Sequence, residues 1–99
     1  MNQVICKAIS DRKILAFYYD SCYRVVEPYT LGISPKSNVI LSAFQIDGQK
    51  ASGKPLPDWG QFNLDKILDL QVLDRKFDGI APDYKRGNTK MTEIFCELE

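Results

Sequence analysis

Apolar positions along the chain follow two periods. Between residues 2 and 12, Val4, Ile5, Ala8 and Ile9 recur at helical spacing and form one stripe, with Lys7, Asp11 and Arg12 left for water and Asn2 placed as the N-cap. A helix this short does not persist alone and must dock on something. From residue 14 the period becomes two. Residues 14–20 are aromatic and branched, the side chains that suit a pleated surface, and Leu15, Phe17 and Tyr19 share one face. Asp20, Ser21 and Cys22 read as a turn, and residues 23–33 as a second strand in which Pro28 and Gly32 mark bends. Residues 34–38 carry hairpin-turn chemistry, and residues 39–46 form the most hydrophobic strand, expected to be central.

Residues 47–60 break the alternation with three glycines and two prolines, and read as a long loop that holds the only tryptophan, Trp59. A short strand follows at 61–64, then a turn at Asp65-Lys66. Residues 67–74 alternate, with Leu68, Leu70 and Val72 against Asp69, Gln71 and Leu73. Residues 78–88 are irregular. From Thr89 to Glu99, Met91, Ile94, Phe95 and Leu98 fall at helical spacing, while Ile94, Cys96 and Leu98 equally fit one face of a strand. A helix followed by successive strands with turns between them predicts a mainly β, single-domain fold over residues 1–99. The expected form is a small, strongly bent antiparallel sheet or an SH3/Sm-like barrel, with an N-terminal helix and a short C-terminal element.

Composition narrows the chemistry. The chain has thirteen basic and thirteen acidic residues, so bulk attraction to nucleic acid or to an anionic membrane is not expected. Residues 1–50 sum to about +2 and residues 51–99 to about −2, too small a division to name a partner. No apolar run reaches the ~20 residues of a membrane span, and residues 1–20 lack the pattern of an export signal. Histidine is absent, which removes Ser-His-Asp and Cys-His catalysis and His-ligated metals. Cys6, Cys22 and Cys96 form no Cys-x-x-Cys pair. An odd number of cysteines predicts free thiols in a reducing cytoplasm, with Cys6 and Cys96 as small core residues and Cys22 in a turn. No enzymatic activity, metal or cofactor is expected.

The order of elements and several short motifs resemble a WYL domain, a bacterial regulatory module with an SH3-like or Sm-like barrel. The resemblance runs from Ala8 to Phe77. It rests on Leu15-x-Phe17-x-Tyr19, on Arg24-x-Val26-Glu27-Pro28-x-x-Leu31-Gly32 and on Ile40-Leu41-Ser42-Ala43-Phe44. It continues through Phe62-x-Leu64-Asp65-Lys66-Ile67 and Leu70-x-Val72-Leu73-Asp74-x-x-Phe77. There are departures. The Trp-Tyr-Leu triplet that names the family falls on Val39-Ile40-Leu41, Lys66 stands where the family has arginine, and Gly60-Gln61 replace a stretch that often carries a basic residue. A lysine in place of arginine loses the bidentate fork. Such domains usually follow a winged helix, and the single helix at 2–12 cannot build a helix-turn-helix. The resemblance therefore implies the sensing or assembly half of a regulator.

It also implies a site. Arg24 lies inside a strand, where a long cation is unexpected; it either contacts an anion or nucleotide or pairs locally with Glu27 or Asp20. Lys66 in its turn would present an ammonium to phosphate, or simply be solvated. Tyr19 would stack or donate to the ligand, or pack in the core. Ser42 would line the pocket, or bond a neighbouring backbone group. Trp59, Lys50 and Lys54 belong to the predicted 47–60 loop, where Trp59 is either a binding aromatic or a lid on the barrel. The expected ligand is a small anion or a nucleotide, or a short nucleic acid held by a local patch. The alternative is a protein-interaction or self-association module whose ligand site has decayed.

Overall fold

The computed structural model describes residues 1–88 and 90–99. The chain runs through helix α1 (Asn2–Ser10), strands β1 (Lys13–Tyr19), β2 (Cys22–Ile33), β3 (Val39–Gly48) and β4 (Asp58–Asn63), a 3-10 turn (Leu64–Lys66), and strands β5 (Leu68–Lys76) and β6 (Glu93–Glu97). All strand pairings are antiparallel. The sheet order is β4-β3-β2-β1-β5, with β6 added to β2. The fold is thus mainly β, a bent sheet that stays open between β4 and β5, and it is compatible with an SH3-like fold. Among the described residues no helix is long and apolar enough to cross a membrane.

Strand β2 is the spine. Its first half pairs with β1 as far as Leu15↔Val26, and its second half pairs with β6 from Thr30↔Glu97. Pro28, which has no N–H to donate, falls between those two ladders and beside a register shift against β3. Gly32, expected to mark a bend, lies at a register shift against β6, and a Cβ there would collide with the Glu93 carbonyl oxygen and Met91 Sδ, so only glycine lets β6 approach. The β1–β2 hairpin turns through Asp20 and Ser21 with φ of 51° and 62°, the positive pair that matches strand twist. The core gathers Ile5, Ala8 and Ile9 of α1 with Leu15, Phe17, Val26, Tyr29, Leu31 and Leu41 of the sheet.

Several expectations need correction. The helix is shorter than 2–12, its N-cap is Met1 rather than Asn2, and Val4 is exposed. Trp59 is not in a loop: β3 extends to Gly48 and β4 begins at Asp58, so the connection shortens to residues 49–57. The alternation read at 67–74 does not govern burial. Asp69 takes a φ of 54° beside a register shift against Ala16 and Tyr18, and Leu68 and Val72 are 63% and 44% exposed while Leu70 and Leu73 pack against the core. At the C-terminus the strand alternative holds, with β6 over 93–97; Thr89 lies outside the described residues. Cys6 and Cys96 are not free thiols but a disulfide joining α1 to β6, while Cys22 is free and half-buried. The cytoplasmic expectation loses the support it drew from those thiols.

Candidate functional site

Arg24 is the most unusual side chain of the sheet. It points into the bend of β2 and is only 5% exposed. One terminal nitrogen donates to Gln45 Oε1 at 3.2 Å and the other to the Tyr19 carbonyl at 3.1 Å. The guanidinium lies 5.7 Å from the ring centres of both Tyr19 and Phe62. Its Nε is buried and has no hydrogen-bond partner. Among the described residues it forms no salt bridge. The local pairing with Glu27 or Asp20 is not observed; Glu27 instead accepts from the Tyr29 hydroxyl. A buried charge is normally paired, because desolvation costs several kcal/mol.

The sheet positions the rest of the site. Tyr19, at the end of β1, packs edge-on against Phe62 of β4, and its hydroxyl accepts from the Asn63 amide at 3.1 Å. Gln45 of β3 is 1% exposed and fixed by two donations from its amide nitrogen, to the Asp47 and Gln49 carbonyls, so its oxygen faces Arg24. Gly60 admits the Phe62 ring, which would collide with a Cβ at 2.6 Å. Together with Asp20, Lys50 and Gln61 these residues line an open cleft of about 240 Å³. Lys50 crosses it to Asp58, Nζ to Oδ2 at 2.6 Å. That hydrogen bond, helped by the Trp59 amide, holds the Asp58 carboxyl below its ordinary pKa.

The other predicted site residues disperse. Lys66 is exposed at the end of the 3-10 turn and does not line the Arg24 cleft, so the second cation there is Lys50. Lys54 is exposed on the 49–57 connection. Ser42 is buried, and its partner is a side chain rather than backbone: Oγ accepts from Gln61 Nε2 at 2.9 Å. It lines a second cleft, across Gln61 from the first, of about 330 Å³. Trp59 lines that cleft too. Its indole N–H donates to the Pro82 carbonyl at 2.7 Å, and its ring packs among Tyr29, Phe44 and Tyr84. Sequence reasoning missed Gln45, Gln61 and Phe62 as cleft residues, and the basic segment at 85–90. Phe62 had a signal in the resemblance motif; the glutamines had none.

Among the described residues no three His, Cys, Asp or Glu side chains are placed to hold a metal ion. What the first cleft offers chemically is a fixed guanidinium, an ammonium, an amide and an aromatic wall. Comparison with known proteins finds no matching family model, no similar curated protein and no similar solved structure.

Proposed function

We propose that this chain is a non-enzymatic regulatory module, similar to WYL domains, that binds a small anionic ligand in the Arg24 cleft and transmits occupancy to a partner by a shift in conformational populations. The observation that carries this reading is the buried guanidinium, whose Nε has no hydrogen-bond partner and which forms no salt bridge among the described residues, Asp20 on the cleft wall included. An anion entering the cleft would supply the missing counter-charge, with Lys50 within reach once it exchanges Asp58 for the ligand. The order of motifs around Arg24 supports the same reading.

The test is thermal shift against phosphate, pyrophosphate and short dicarboxylates, comparing the wild type with Arg24→Met. Methionine keeps much of the apolar volume and removes the charge. The substitution leaves the buried Gln45 Oε1 without its donor, so a loss of about 1–3 kcal/mol is expected, and each anion's shift is read against that variant's own ligand-free midpoint. An anion that raises the wild-type midpoint and leaves Arg24→Met unmoved supports the reading. Equal behaviour of the two proteins with every anion overturns it.

A second reading, an association module, is favoured by the exposed apolar row that Tyr23, Tyr18 and Leu68 form across β2, β1 and the open edge strand β5. A concentration-dependent sedimentation coefficient, abolished by Leu68→Lys, would support it over the first.

A further inference from the structure

The second cleft shares only Gln61 with the Arg24 cleft and is otherwise built from different residues. One wall is the Trp59–Tyr84 pair, stacked with ring centres 6.3 Å apart and planes 22° apart. The polar atoms of both rings are engaged elsewhere, the indole N–H by Pro82 and the Tyr84 hydroxyl by the Leu98 carbonyl at 2.7 Å. These bonds anchor the rings, so what they present to the cleft is aromatic carbon. Beside this wall, Ser42 Oγ accepts from Gln61, which leaves the serine hydroxyl hydrogen and the Gln61 carbonyl oxygen without partners among the described residues.

Lys85, Arg86 and Lys90 also line the cleft, against one acid, Asp83. In a chain with equal numbers of acidic and basic residues this is a local excess. Arg86 is shared with Glu97 and Glu99 at 3.5 and 3.7 Å, but Lys85 and Lys90 enter no ion pair among the described residues. An aromatic wall, a free donor and acceptor beside it and two uncommitted ammonium groups match one ligand chemistry: a planar heterocycle with a hydrogen-bonding edge, joined to an anion.

We propose that this cleft binds a nucleoside phosphate, its base laid on Trp59 and Tyr84, its base edge read by Ser42 and Gln61, and its phosphate held between Lys85 and Lys90. The volume of about 330 Å³ lies at the small end of the ~300–1,000 Å³ typical of ligand pockets, which suits a single nucleotide unit. Stacking tolerates any base, so affinity across bases should vary less than affinity across charge states.

Trp59 is the only tryptophan, so its fluorescence reports on this cleft without a label. The full chain is titrated with AMP, GMP and UMP, with a tetranucleotide of the same bases, and with ribose 5-phosphate as a ring-free control. Saturable quenching by the nucleotides is expected, with little from ribose 5-phosphate. The double variant Lys85→Ala/Lys90→Ala, altered only at exposed positions, should bind at least tenfold more weakly with an unchanged far-ultraviolet circular dichroism spectrum. Arg24→Met should bind as the wild type does, which separates this site from the first. Tighter binding of the tetranucleotide identifies a unit within a strand as the ligand, and equal binding identifies the free nucleotide. Absence of quenching by every nucleotide, undiminished binding in the double lysine variant, or equal binding of ribose 5-phosphate overturns the proposal.

Discussion

Replacing Tyr29 with alanine is expected to lower the unfolding free energy by about 3–5 kcal/mol, the usual cost of emptying a large aromatic site. In a domain of this size that is a fall in Tm on the order of 20 °C. Tyr29 is fully buried on β2, and its ring contacts Trp59, Phe77 and Tyr84 at centroid distances of 5.1, 5.4 and 4.8 Å. It therefore joins the sheet to the irregular segment that follows β5. Its hydroxyl donates to Glu27 Oε1 at 3.0 Å and accepts from the Ala81 amide at 2.9 Å. Tyr29→Phe keeps the rings and leaves that buried amide unbonded, at about 1–3 kcal/mol.

The same residue sets an alkaline limit. Burial pushes the phenol from an ordinary pKa of 10.0 up to about 12, because the folded protein favours the neutral form. The stability this contributes is fully present below pH 10.0 and is lost as pH rises toward about 12. Denaturant titrations across that window should fall less steeply in Tyr29→Phe than in the wild type. Identical slopes would mean that the phenol ionises as freely in the folded chain as in the unfolded one.

Reduction of the Cys6–Cys96 bond is the second large expected effect, at about 2–4 kcal/mol. The bond closes a loop with a sequence separation of 90, so it constrains nearly the whole unfolded chain. It also pins α1, a nine-residue helix that gains nothing from a side-chain cap. Denaturant midpoints with and without a thiol reductant give the difference directly. The Cys6→Ser/Cys96→Ser variant should start at the reduced value and ignore the reductant. An unchanged wild-type midpoint on reduction would remove the bond from the account of stability.

The strands of the first half were legible because their borders carry strong local chemistry: Asp20-Ser21 at one hairpin, residues 34–38 at the next, Pro28 and Gly32 within β2. Arg24 was legible as a misfit, a cation set between Tyr23 and Val25 inside a strand, and the structure keeps it a misfit. Trp59 was misplaced because the Gly- and Pro-rich run around it outweighed a strand only six residues long. The exposure of Leu68 and Val72 was hidden because β5 is an edge strand with two register shifts against β1, and the core takes Leu70 and Leu73 from it instead, a selection that the alternation does not carry. Other features depend on contacts between distant parts of the chain. Cys6 meets Cys96 only once β6 docks beside α1, and Gln45 joins Arg24 only through the β2–β3 register. Lys85 and Lys90 form a cleft only when their segment folds over Trp59. Spacing along the chain carries no trace of these.

With Cα atoms of Cys6 and Cys96 5.7 Å apart, α1 and β6 are covalently stitched, and the segment between them is in effect a closed loop of about ninety residues. A single backbone cut elsewhere opens that loop without releasing a fragment. The exposed connection between β3 and β4 is the natural place for such a cut.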